Sequence, residues 1–144
     1  TTAQKQVFES LFFNIKKEDT IVVLYPTYPD RDFMDIEAAY SFFIKEGFSS
    51  MLCRKELKTH PYMCLRAIDE MHGEQIIQHD LYRRQDYPEC FEISHFICML
   101  RAGEIKSLNN QLYNNSTGFY KISDKLDVDY KEDFEKFKKN NHGV

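Results

Sequence analysis

The chain has 144 residues, of which 42% are hydrophobic and 29% charged, and its formal net charge is −4. This length fits one domain, residues 1–144, that buries roughly two thirds of its unfolded surface. No stretch approaches the ~18 consecutive apolar residues of a membrane span, no secretory signal is visible, and the basic residues are scattered. We therefore expect a globular domain whose partners include neither a membrane nor nucleic acid.

The first half of the chain alternates between helical and strand patterns. Residues 3–17 and 32–46 have apolar residues at helical spacing, and the apolar runs 20–25 and 49–53 read as strands. The second helix has a cap at Asp32, a stop at Gly47 and one apolar face, formed by Phe33, Ile36, Tyr40, Phe43 and Ile44. This alternation of helices and strands predicts an α/β fold with a mostly parallel sheet flanked by helices.

The second half is less regular. Residues 54–90 alternate charged and short apolar pieces, which favours strands or a hairpin that extends from the main sheet. Residues 91–100 and 118–122 read as further strands, and Asp129 is placed to cap a last helix. Four cysteines, without a C-x-x-C pair, are predicted to be reduced thiols and favour a cytoplasmic location; they are Cys53, Cys64, Cys90 and Cys98.

A loop with two prolines follows the first strand, at residues 24–31. Proline restricts both its own backbone and that of the preceding residue, so the loop should be rigid and extended. It carries Thr27, Tyr28 and Arg31 to the carboxyl end of a strand, where ligands bind in open α/β sheets. Arg31 has an equally good alternative as a scaffold for the helix start, paired with Asp35.

The segment Asp127-Val128-Asp129 is a candidate cation site. In an extended segment its two carboxylates share a face, with Cα atoms about 7 Å apart, an arrangement that suits a hard cation such as Mg²⁺. The alternative is structural, since Asp129 with Glu132 resembles a capping box for the last helix.

The run Arg83-Arg84-Gln85-Asp86 is a candidate anion site, because guanidinium groups grip carboxylates and phosphates at two points. The alternative is a solvated ion pair with a neighbouring aspartate, of little energetic value. His60, before Pro61-Tyr62, reads as a residue that orders its loop rather than a catalytic base.

Four of these motifs, in this order, resemble the acylneuraminate cytidylyltransferases. They are Pro26-Thr27-Tyr28-Pro29-Asp30-Arg31, His60-Pro61-Tyr62, Arg83-Arg84-Gln85-Asp86-Tyr87-Pro88, and Asp127-Val128-Asp129 before Asp133-Phe134. They span residues 20–137, which would correspond to the carboxyl-terminal two thirds of a family member. The resemblance implies a nucleotide-diphospho-sugar transferase-like, Rossmann-like fold.

The resemblance also implies a function: transfer of CMP from CTP to a nine-carbon acidic keto-sugar, with release of pyrophosphate. Asp127 and Asp129 would be catalytic residues that hold Mg²⁺. The substrate-binding residues would be Thr27, Tyr28, Arg31, Arg83, Arg84 and Gln85. The protein would be a homodimer, with residues 54–90 as its dimerisation and acceptor-binding extension.

Three departures separate the chain from that pattern. No glycine- and basic-rich loop for the CTP phosphates is present, so we expect the 144 residues alone not to bind CTP productively. Tyr25 replaces a glutamine before proline-threonine, and Ser94-His95 replaces asparagine-glycine. Two alternatives to a cytidylyltransferase stay open. One is a non-catalytic sugar-binding or protein-interaction module, and the other is another class of nucleotide-sugar pyrophosphorylase.

Overall fold

A computed structural model describes residues 14–141 of the chain. The helix expected at 3–17 therefore lies almost wholly outside the described residues. Short 3₁₀ helices occupy Pro61–Met63, Arg84–Asp86 and Ala102–Ser107. The other elements, in chain order, are β1 (Thr20–Val23), α1 (Phe33–Glu46), β2 (Ser50–Lys55), β3 (Leu65–Ala67), β4 (Gly73–Gln75), β5 (Glu92–Arg101), β6 (Gly118–Lys121) and α2 (Lys131–Asn141).

The main sheet has the strand order β1-β5-β2-β6. β5 runs antiparallel to both β1 and β2, and only β2 and β6 pair in parallel. The α/β class is thus as expected, whereas the expectation of a mostly parallel sheet is wrong. β1, β2 and β6 nevertheless point the same way, so their carboxyl ends lie at one edge.

The direction of β5 follows from what precedes it. A parallel return needs a crossover, usually a helix, that carries the chain back to the opposite edge of the sheet. Residues 56–91 form only a small hairpin and two 3₁₀ turns, so the chain re-enters at the edge where it left. Lys55, the last residue of β2, accordingly pairs with Glu92, the first residue of β5.

α1 packs on the sheet through a narrower face than its sequence pattern indicates. Ala39 and Phe43 are fully buried, and Ile36 is half-buried, against a core that includes Met51 and Phe96. The prediction that Phe33, Tyr40 and Ile44 share this face is wrong, because they are 73%, 44% and 43% exposed. Phe42 is half-buried and also packs against this core.

Both predicted ends of α1 are confirmed. The Asp32 carboxylate accepts a hydrogen bond from the Asp35 amide, and the Asp35 carboxylate accepts one from the Asp32 amide. Gly47 follows the helix with φ +70°, a left-handed conformation that glycine adopts without strain.

The extension, residues 54–90, contains the predicted hairpin. β3 and β4 pair antiparallel as a separate two-stranded sheet. Several large apolar side chains of this region are exposed, among them Leu65, Ile68, Met71, Ile76 and Tyr82. Within residues 14–141, no helix is long and apolar enough to cross a membrane.

The four cysteines are free thiols, as predicted. Cys53 and Cys98 are buried in the main sheet, while Cys64 and Cys90 are partly exposed.

Candidate functional site

The loop after β1 and the segment after β6 meet at the edge where the carboxyl ends of both strands lie. The Val128 amide donates a hydrogen bond to the Thr27 carbonyl, with an N···O distance of 2.8 Å. This bond fixes the position of Asp127-Val128-Asp129 beside the proline loop. Two of the four motifs are therefore neighbours in space, although about a hundred residues separate them in the chain.

The loop itself is more compact than the extended conformation expected from its prolines. Turns at Pro26-Thr27 and at Pro29-Asp30 fold it back on itself. Proline suits the first central position of such turns because its φ is already near the required value. Thr27 is half-buried, and its backbone carbonyl, used by Val128, is the contact that matters for the site.

Tyr28 is a buried residue rather than a pocket-lining one. Its side chain is only 8% exposed, and its ring packs edge-on against Phe96 of β5, with 5.4 Å between ring centroids. Burial raises the pKa of Tyr28 to about 12; a hydrogen bond with Ser94 opposes this shift and one with Asp127 adds to it.

Asp127 has an uncommon environment for a carboxylate. Its Oδ1 atom is buried and accepts no hydrogen bond from any described residue. An unpartnered buried carboxylate oxygen is costly, and such groups usually pair or coordinate a cation. Its chemistry fits Mg²⁺, which prefers oxygen ligands and keeps several waters.

Asp129 is exposed and does not cap α2. The Tyr130 amide instead donates to the Asp133 carboxylate at 3.2 Å, and the Tyr130 carbonyl accepts from the Asp133 and Phe134 amides. The predicted cap formed by Asp129 and Glu132 is therefore wrong. Within residues 14–141 the Asp129 carboxylate makes no hydrogen bond or ion pair, which leaves it available as a second cation ligand. The described residues contain no cluster of three or more His, Cys, Asp or Glu side chains suited to a metal.

Arg31 is occupied by the protein backbone. Its Nη1 donates to the Phe96 carbonyl at 2.7 Å, and its Nη2 donates to the Tyr25 carbonyl at 2.8 Å. These contacts match the scaffold alternative, although the expected partner, Asp35, faces Lys125 instead.

The arginine-rich run is a 3₁₀ turn with exposed side chains, not a strand. Arg83 grips the Asp86 carboxylate with two hydrogen bonds of 2.9 and 3.1 Å. Arg84 and Gln85 are exposed, and no hydrogen bond or ion pair within the described part of the chain joins this run to the Asp127 region.

His60 orders its loop, as predicted. Its Nδ1 accepts from the Tyr62 amide at 3.1 Å and its Nε2 donates to the Pro88 carbonyl at 2.9 Å. Its ring also packs near those of Tyr62 and Tyr87, at centroid distances of 5.1 and 4.9 Å. These contacts hold the two ends of the extension together.

Sequence reasoning missed the contributions of Ser94, Phe96 and Lys125. Ser94 and Phe96 belong to β5 and meet the loop only because β5 lies next to β1. The Lys125 ammonium lies 5.1 Å from the Phe96 ring centre and 3.8 Å from the Asp35 carboxylate.

Comparison with known proteins gives no identification: no protein-family model and no curated protein matches the chain.

Proposed function

We propose that this chain carries the metal- and acceptor-binding part of a cytidylyltransferase. The reaction would transfer CMP from CTP to a nine-carbon acidic keto-sugar, with release of pyrophosphate. The observation that supports it best is the bond between the Val128 amide and the Thr27 carbonyl. This bond brings two motifs into contact, the loop after β1 and the pair of carboxylates. A nucleotidyl transfer would need both at the same place.

Asp127 and Asp129 would hold Mg²⁺. When bound, the ion would neutralise charge on the triphosphate and make pyrophosphate a better leaving group. Asp127 supplies an oxygen that the protein leaves unpartnered, and Asp129 supplies an exposed one. The remaining contribution of the chain would be positioning and charge neutralisation rather than covalent chemistry.

The acceptor would be recognised by its carboxylate. Arg84 and Gln85 are exposed and available for this contact, whereas Arg83 would first have to leave Asp86. Arg31 would act indirectly, by holding the loop that carries Thr27 and Tyr28. The Rossmann-like assignment belongs to this proposal too, and the common direction of β1, β2 and β6 supports it.

Partners and location complete the proposal. We place the protein in the cytoplasm, which agrees with four free thiols, and we expect neither nucleic acid nor membrane as a partner. The exposed apolar side chains of the extension support a homodimer formed through it. An Ile68→Asp/Ile76→Asp variant should be monomeric in sedimentation, whereas Phe33→Asp, equally exposed on α1, should not change the oligomeric state.

The test is pyrophosphate release with CTP, Mg²⁺ and a panel of nine-carbon sugar acids. It should be run on the chain and on a form preceded by a glycine- and basic-rich phosphate-binding segment. We expect CMP-sugar from the longer form and its loss in Asp127→Asn. Asp30→Asn, the same change on the exposed part of the loop, should keep activity. Turnover by the 144 residues alone would contradict the expectation drawn from the missing loop.

The second candidate is a non-catalytic binding module of the same fold. Two of the side chains expected to hold ligand, Arg31 and Arg83, are engaged within the protein, and this favours it. A module should keep its ligand in Asp127→Asn and in the absence of Mg²⁺. No turnover from either form, with the longer form folded and dimeric, would favour this candidate.

A further inference from the structure

α1 has an apolar flank that the main sheet does not bury. Phe33, Tyr40 and Ile44 are exposed, and their spacing of seven and four residues puts them on one side of the helix. Phe42 lies on the opposite side, about 160–180° away around the helix axis. It packs toward β6, with 5.2 Å between its ring centroid and that of Tyr120. Because β1 and β6 are the two edge strands of the main sheet, the apolar flank faces the β1 side.

β1 also has an exposed apolar residue on the side of the sheet that α1 occupies. Val22 pairs with Met99 of β5, and directly paired residues point to the same face. Met99 belongs to the core that includes Phe43, so Val22 lies on the α1 side, where it is 36% exposed. Ile21, on the other face, is only 8% exposed. Val22 and the apolar flank of α1 thus border one apolar groove.

The described chain begins beside this groove. The Lys17 carbonyl accepts a hydrogen bond from the Gly103 amide at 3.0 Å. Arg101 donates through Nη1 to the Glu18 carbonyl at 3.0 Å, and its guanidinium lies 5.1 Å from the ring centre of Phe43, in the last turn of α1. The segment before β1 is therefore anchored at the carboxyl-terminal end of α1, and the preceding residues start from there.

The residues before this anchor have the pattern and the length to fill the groove. Residues 3–17 have apolar residues at helical spacing, and one face of the predicted helix carries Val7, Phe8, Leu11, Phe12 and Ile15. Ile15 lies within the described residues and is half-buried. A helix over residues 3–13 would be about 16 Å long, the same length as the apolar flank between Phe33 and Ile44.

We propose that residues 3–13 form an amphipathic helix that docks in the apolar groove of the same chain. Because the segment leads to the carboxyl-terminal end of α1, this helix runs parallel to α1. Its apolar face covers the apolar flank and Val22, and it completes the helical layer on this side of β1. Removal of apolar surface from water on both sides of the contact drives the docking. The inference does not depend on the proposed function, since none of these residues belongs to the candidate site.

The experiment measures how fast DTNB reacts at pH 8 with a thiol placed in the groove by Ile44→Cys. The full chain is used, with its two partly exposed thiols removed by Cys64→Ala/Cys90→Ala. We expect the docked helix to shield the new thiol and Leu11→Asp to raise its reaction rate at least about tenfold. Burial of one leucine side chain changes the equilibrium between docked and undocked helix by about this factor or more.

Two matched controls separate docking from general effects. Gln6→Asp adds the same charge to the opposite face of the predicted helix and should leave the rate at Ile44→Cys unchanged. Met34→Cys places a thiol on the outer side of α1, where it should react quickly with or without Leu11→Asp.

Two results would overturn the inference. If the rate at Ile44→Cys does not respond to Leu11→Asp, whether it is slow or fast, residues 3–13 do not cover the groove. If the shielding weakens when the protein is diluted, a second copy covers the groove instead of the same chain. Should Leu11→Asp prevent folding, Leu11→Ala takes its place, with a smaller change expected in the same direction.

Discussion

Arg31 illustrates how a residue typical of anion sites can serve the protein interior. Its planar guanidinium donates to two carbonyls at once, that of Tyr25 in the loop and that of Phe96 in β5. A hydrogen bond that involves a charged group contributes about 1.5–3 kcal/mol, more than a neutral one. Arg31 therefore stabilises the loop conformation. From the sequence alone, a ligand-binding role and this structural role were equally well supported.

Arg31→Lys should lower the free energy of unfolding by about 2 kcal/mol, because lysine keeps the charge but loses the two-point geometry. Urea unfolding measures this effect. Arg84→Lys is the control, since the Arg84 side chain is exposed. Unchanged stability of Arg31→Lys together with lost binding of an acidic sugar would show instead that Arg31 contacts the ligand.

The cysteines provide a second prediction at this scale. Burial raises the pKa of Cys53 to about 11 and that of Cys98 to about 12. Because only the thiolate reacts with disulfide reagents, both thiols should be inert at pH 8.

With DTNB at pH 8 we therefore expect two thiols, Cys64 and Cys90, to react quickly and two to react only as the protein unfolds. A Cys64→Ala/Cys90→Ala variant should lose the whole fast phase. A fast phase that persisted in this variant would mean that the sheet opens readily around Cys53 or Cys98.

At the scale of elements, the start of α1 depends on one capping box. The Asp32 and Asp35 carboxylates each accept a hydrogen bond from the other residue's amide. Asp32→Ala should reduce the free energy of unfolding by about 1 kcal/mol, the usual value of an N-cap. Asp30→Ala, two residues earlier and exposed, should have almost no effect in the same urea titration. Equal losses in both variants would mean that the loss comes from loop charge rather than from the cap.

How much of an element could be predicted depends on whether its determinants are local. The ends of α1 were predictable because Asp32 and Gly47 act within one turn. Its buried face was not, because Phe33 and Tyr40 belong to the apolar pattern but lie beyond the small sheet. The start of α2 was misplaced by one residue although its contacts are local: the Tyr130 amide donates to Asp133, and neighbouring acidic residues offered similar spacings.

The candidate site follows the same rule. Its residues Thr27, Tyr28, Asp127 and Asp129 came from motifs. That the two motifs meet was not predicted, and it results from the common direction of β1 and β6. Ser94 could not be predicted, because its contact with Tyr28 exists only if β5 lies beside β1. The antiparallel direction of β5 depends in turn on the absence of a crossover helix in residues 56–91, which periodicity alone does not establish.

At the scale of the whole molecule, three buried groups share one property. Burial raises the pKa of Cys53 to about 11, and it raises those of Cys98 and Tyr28 to about 12. Each group is neutral when protonated. The unfolded chain loses these protons at ordinary pKa values, about 9 for a thiol and 10 for tyrosine, whereas the folded state keeps them to higher pH.

The folded state binds more protons than the unfolded chain between about pH 9 and pH 12, so the free energy of unfolding should fall as the pH rises through this window. Below about pH 9 the stabilisation from these groups is fully present. Each proton contributes a slope of about 1.4 kcal/mol per pH unit, so the two thiols together give roughly 3 kcal/mol per unit near pH 10. Urea unfolding at pH 8, 9, 10 and 10.5 measures this slope. A Cys53→Ala/Cys98→Ala variant should be less stable at pH 8 but show a slope reduced to that of Tyr28 and the exposed groups. If the variant keeps the full slope, alkaline destabilisation has another source, such as loss of lysine charge at the Lys55 ion pairs with Glu92 and Asp124.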